Sequence, residues 1–230
     1  LLLAVGQGQA QTLPPPTPAP VACPPRGTPL VRVTISDPEP RVLNPVSAEA
    51  LRRLADLPEE AYNQGTVLHH LGLTLSRVEW RSEITVRSQG AGNGPVCGLP
   101  SEIRLSLLHA EHSIRLAREI PPRGCLAREV LAHERRHAEV NRRTLREAAE
   151  GLRATARAWA ARARAQAPDA GAAALQLQEE LTEAVEPVLA RLRAAREAGH
   201  DAIDTPQEYR RLGRVCPADQ RRLSQRLQAH

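Results

Sequence analysis

Apolar residues alternate with polar ones along the first half of the chain and recur at helical spacing along the second. Val31, Val33 and Ile35 alternate with polar neighbours, which predicts a strand over 30–35. Ser47 can cap a short helix running to about Leu57, with Glu49 at its positive end. Leu71, Leu73 and Leu75, then Val78, Trp80, Ile84 and Val86, give a β-like stretch over 66–88, and the glycine-rich 89–95 is a loop by composition. Ile103, Leu105 and Leu107 form one alternating run, Ile114 and Leu116 another. Together they predict an antiparallel hairpin about a turn at 108–112, with His109 and His112 as solvated turn residues at its tip.

From Cys125 onward the period changes. Pro121-Pro122-Arg123-Gly124 breaks the last strand, and a long helix is expected over 125–164. Pro168-Asp169-Ala170-Gly171 punctuates the pattern before a second helix over 172–198, with Gly199 as its stop signal. A short helix should start at Pro206 and another cover 217–227. The fold class these elements predict is α+β: a small antiparallel sheet packed against a long helical hairpin at 125–198, in one domain over 29–230.

Composition adds a location. Residues 11–28 are proline-rich and read as an extended tether. Leu1-Leu2-Leu3-Ala4-Val5 reads as the remnant of a signal-peptide apolar region over 1–10, with Gly8-Gln9-Ala10 supplying small residues for cleavage before Gln11. That predicts a periplasmic or secreted protein, in which the four cysteines pair as two disulfides. Of three possible connectivities, Cys97–Cys125 with Cys23–Cys216 is favoured. No other apolar run approaches the ~20 residues a membrane helix needs. The net charge of +5 comes from arginine alone, and in 142–198 the arginines alternate with glutamates instead of massing on one face. With only two Trp and two Tyr to stack on bases, a nucleic-acid partner is not expected.

The chemistry lies in the first long helix. His133-Glu134-Arg135-Arg136-His137 places two imidazoles four residues apart, on one helix face, where both can ligate one metal ion. Glu134 lies about 100° round from His133, within reach of a water at that ion. Val130, Ala138, Leu145 and Ala148 share the face with His133, Glu134, His137 and Asn141, while Arg135, Glu139, Arg142, Arg143 and Arg146 fall mostly opposite. The histidines therefore point inward.

His133-Glu134-x-x-His137 resembles the active-site helix of the zincin metallopeptidases, and its setting is similar to that of uncharacterised bacterial secreted zinc-dependent proteases. The resemblance covers about residues 66–216, though only the five-residue motif is specific. It implies a Zn2+ cofactor, a peptide or protein substrate held along an exposed sheet edge, and Glu134 as the general base of hydrolysis. Arg135-Arg136 depart from the uncharged residues usual between the motif's Glu and its second His.

A catalytic zinc usually takes three protein ligands. Folding the hairpin about position 168 sets residues near 135 opposite residues near 201, which leaves Glu179, Glu180, Glu183 and Glu186 about 22 Å or more away. Asp204 is then the first choice for third ligand and His200 the second, ahead of Asp201 and Glu208. Thr205-Pro206-Gln207-Glu208 reads as a capping box that would engage the Glu208 carboxylate. Two other functions stay open: a catalytically inert metal-binding module, and a helical-hairpin adaptor protein.

Overall fold

The computed structural model describes residues 21–55, 71–90 and 94–228. The expected signal-peptide remnant, the first half of the proline-rich tether, the start of the β-like stretch at 66–70 and the helix end at Leu57 lie outside them. In chain order the elements are β1 (Leu30–Ser36), β2 (Arg41–Val42), α1 (Ala48–Leu54), β3 (Gly72–Gly90), β4 (Val96–Leu116), α2 (Cys125–Ala160), β5 (Ala165–Ala167), α3 (Ala170–Asp201), α4 (Pro206–Arg214) and α5 (Pro217–Gln228).

Helices and a sheet share one α+β architecture, but the sheet is mixed, which corrects the purely antiparallel one expected. β4 is its centre. β1 and β2 pair with it in parallel, while β3 and β5 pair with it antiparallel. The polypeptide reaches β4 from β1 and β2 only after α1 and the long return strand β3, so β1 and β4 run the same way.

The hairpin expected within 103–116 does not form; those residues belong to one strand of 21. Its partner is β3, with Ile84 opposite Ile103, Trp80 opposite Leu107 and Thr74 opposite Ile114. Between Arg77 and Val78 the register shifts, so that Ala110 of β4 has no counterpart. A bulge of this kind inserts one residue and resets the alternation. The buried set therefore changes from the odd positions 103, 105, 107 and 109 to the even positions 112 and 114. In a sequence that change of phase looks like a turn. A second shift, at Thr85/Val86, admits Pro100 into a central strand, where proline is otherwise excluded.

α2 and α3 lie side by side across one face of the sheet. Leu145, Leu152, Leu177, Leu181 and Val185 pack there with Ile103, Leu105 and Leu107 into the main core. Exposed charges on the sheet pair among themselves, Arg104 with Glu83 and Glu102, and Arg32 with Glu102. Small residues let the two helices approach: a Cβ on Gly151 would stand 2.9 Å from Val188, and one on Gly199 would stand 2.6 Å from Val140. Gly199 is thus a contact point inside α3 and not its stop, and α3 runs on to Asp201.

The disulfides are Cys23–Cys97 and Cys125–Cys216, which corrects the favoured pairing. Cys97 opens β4 and Cys125 follows its far end, so the length of the strand keeps the two apart. Cys23 belongs to a segment fastened to the domain: Arg26 donates to the Ala161 carbonyl and Gln166 to that of Val21. Residues from Val21 on are therefore not free tether. Cys216 staples the α4–α5 junction to the start of α2. Beside it Asp219 accepts from the Leu126 amide (3.0 Å), capping a helix whose own N-cap, Gly124, has no side chain.

Candidate metal centre

α2 carries His133, Glu134 and His137 on its buried side. α3 ends at Asp201, and a tight turn, with the Ile203 and Asp204 amides both donating to the His200 carbonyl, delivers Asp204 to the same place. Three atoms converge. His133 Nε2 lies 3.1 Å from His137 Nε2 and 3.1 Å from Asp204 Oδ1, and His137 Nε2 lies 3.2 Å from that oxygen. A tetrahedral zinc with ligands at 2.0–2.1 Å has ligand–ligand edges of roughly 3.3 Å. The triangle fits that face, and its two nitrogens and one carboxylate oxygen are a donor set zinc accepts. The imidazoles are 6 % and 10 % exposed and Asp204 is 35 % exposed, so the centre opens to solvent on the Asp204 side.

Hydrogen bonds behind the triangle set the tautomer of His137. Arg196 Nε has only a proton to offer and lies 3.0 Å from Asn141, so the atom facing it must be oxygen. That oxygen also lies 3.1 Å from His200 Nε2, which must then donate. Burial pushes the His200 imidazole down to about 4, with His137 and Arg196 adding to the effect, so the ring is neutral and its Nδ1 is an acceptor. His137 Nδ1, 2.9 Å away, donates to it and leaves its own Nε2 with a bare lone pair. His200, second choice as a ligand, instead stands behind one.

On the other imidazole, His133 Nδ1 faces both an acceptor, Glu208 Oε1 at 3.3 Å, and a donor, the Arg136 guanidinium at 3.0 Å. Half of the expected capping box forms, Thr205 Oγ1 accepting from the Glu208 amide. The carboxylate does not turn back to the cap. It serves His133, Arg136 and Arg211, and the two arginines with His133 hold it down at about 2 despite burial. Arg136, the residue that departs from the usual motif, thus has a position in the centre. Burial pulls His133 down, but hydrogen bonding to the Asp204 and Glu208 carboxylates, with the Glu134 charge, more than offsets it and raises its pKa. Burial would raise Asp204 too, yet the two imidazoles and Tyr209 hold it far below the usual carboxylate range. Two imidazole nitrogens and a carboxylate oxygen thus converge on one point, a group that could hold a metal ion.

Compared with protein-family models, curated proteins and solved structures, the chain matches none. Function must be argued from geometry.

Glu134 is buried, and desolvation raises its pKa even though Thr74 Oγ1 stands 2.8 Å from Oε2. Gly72 lets β3 come this close: a Cβ there would lie 2.5 Å from Glu134 Oε1. Thr74, Gly72, Tyr209 and Arg196 escaped the sequence reading, because nothing local marks a strand residue or a distant arginine as a neighbour of a helix motif. Asn141 was visible only as the next residue, four on, along the histidine face. Glu179, Glu183 and Glu186 are exposed on α3, and Asp201 is exposed at its end; none joins the convergent group.

A second cluster was misread entirely. His109 and His112 are buried, not solvated, and with Asp37 their ligand atoms all lie within 4.8 Å of one another.

Proposed function

We propose that this chain is an exported zinc-dependent peptidase whose ligands are His133, His137 and Asp204. One observation carries the reading: two imidazole nitrogens and one carboxylate oxygen meet at 3.1–3.2 Å beside a buried glutamate. A zinc ion held there would supply a Lewis acid that polarises a carbonyl and acidifies a water. Glu134 takes a proton from the attacking water as the new C–O bond forms. It then gives that proton to the amide nitrogen as the C–N bond breaks. Its pKa, raised by burial, suits the first transfer, since a more basic carboxylate accepts a proton more readily. Thr74 fixes one carboxylate oxygen, and Glu208 and His200 keep the imidazoles aimed. β3 pairs only with β4 among the described residues, so its other edge offers main-chain groups for an extended peptide next to Glu134. Two disulfides suit an oxidising compartment, which supports the exported location.

Metal analysis and turnover of an unstructured protein substrate test the reading together. His133→Ala should lose tightly bound zinc. Glu134→Gln should keep near-normal zinc and lose hydrolysis by 10²-fold or more. A Glu134→Gln protein that hydrolyses as fast as the parent sinks the assignment. A parent that binds zinc without turnover marks an inert metal-binding module, and one that binds none leaves the helical adaptor.

A further inference from the structure

We propose a second divalent transition-metal site, of the zinc class, formed by His109 and His112 of β4 with Asp37 of the segment after β1. Two residues three apart on a regular strand point to opposite faces. Here the bulged Ala110 lies between them and brings both rings to the helix-covered face, their centroids 4.4 Å apart. Bulges commonly re-aim side chains in this way at functional positions. The rings are then left without enough partners. His109 is more than nine-tenths buried, its side chain fully so, and among the described residues neither of its nitrogens has a hydrogen-bond partner. His112 is equally buried. Its Nδ1 donates to the Pro38 carbonyl at 3.1 Å, which leaves a bare Nε2 that is also unpartnered. A buried imidazole nitrogen without a partner is costly, and two such rings beside one carboxylate form a ligand set for an ion that prefers imidazole and oxygen.

Asp37 completes the set and supplies the charge. Its Oδ2 is held by Arg146 at 2.7 Å, while Oδ1 faces His109 Nδ1 at 3.5 Å and Arg142 Nε at 3.2 Å. Arg142 is shared with Glu39, so its hold on Asp37 Oδ1 is divided between two carboxylates. One difference from the first centre sets its strength. Arg142, Arg146 and the nearby Arg196 oppose a dication. The second site should therefore bind zinc at least tenfold more weakly than the first, and its role is structural, pinning the segment after β1 to the bulge under α2.

Zinc titration of a His133→Ala/His137→Ala protein tests this independently of the proposed peptidase centre. One equivalent should bind at micromolar zinc, and adding His109→Gln and His112→Gln should abolish it. Where that variant fails to fold, imidazole 15N spectra of the parent replace it: zinc beyond the first equivalent should shift the His109 and His112 nitrogens. No binding by the folded double-alanine protein overturns the proposal. So does binding that survives both glutamine changes, or a second equivalent that leaves those nitrogens unmoved. Failure here leaves the first equivalent and the turnover assay untouched.

Discussion

At the scale of single residues, the centre depends on which nitrogen of each imidazole carries its proton. Arg196, Asn141 and His200 form a one-way chain that ends at His137, because only the arginine has no choice of role. His200→Ala should weaken zinc binding about 10- to 100-fold, as is usual when a ligand's outer partner is removed, while circular dichroism stays that of the parent. A variant with parental zinc affinity would show that the chain does not set the tautomer. His133, Glu134 and His137 were legible because spacing on one helix is enough to bring them together. Asp204 came within reach by the register of the hairpin. The role of Glu208 was hidden by a competing local explanation, the capping box, and Arg136 stood out only as a departure from the usual motif. Tertiary contact gave both a place in the centre.

At the scale of elements, helices were easier to read than strands. The starts of α2, α4 and α5 follow from proline, glycine and cap residues close at hand. β4 was broken in two on paper because a bulge imitates a turn in the phase of the apolar positions, and no single position announces it. The same strand shows how far one inserted residue reaches, since it sets where His109 and His112 point. Packing between elements rests on missing side chains. Gly199→Val should clash with Val140 and destabilise the protein by about 1–3 kcal/mol, read as a lower midpoint in denaturant without a change of slope. Gly72→Ala acts at a different junction. It should push β3 off Glu134, leaving zinc content intact and cutting turnover; a fully active Gly72→Ala protein would deny that β3 positions the base.

At the scale of the whole molecule, the centre joins parts of unequal strength. α2 and α3 share the main core with the sheet, whereas α4 has no buried residue among its nine and is held by ion pairs to Arg136 and Glu129 and by the neighbouring disulfide. Zinc should raise the melting temperature in proportion to the logarithm of its excess over the dissociation constant, and a chelator should reverse the gain. A melting temperature indifferent to zinc would mean that the ligands are not bridged across these parts.

The Cys125–Cys216 staple bears on this imbalance. It ties the α4–α5 junction to the start of α2, and under the proposed function the Glu208 brace on His133 would rest in part on a bond that reducing cytosol does not sustain. A chain still inside the cell that made it would hold two histidines and a glutamate on a folded helix, but a centre less firmly braced. Cys216→Ser should accordingly lose at least tenfold in zinc affinity while keeping most of its helical signal. Were the chain an exported peptidase, as proposed, oxidation after export would act as the safety catch, withholding hydrolysis from the proteins of its own cell.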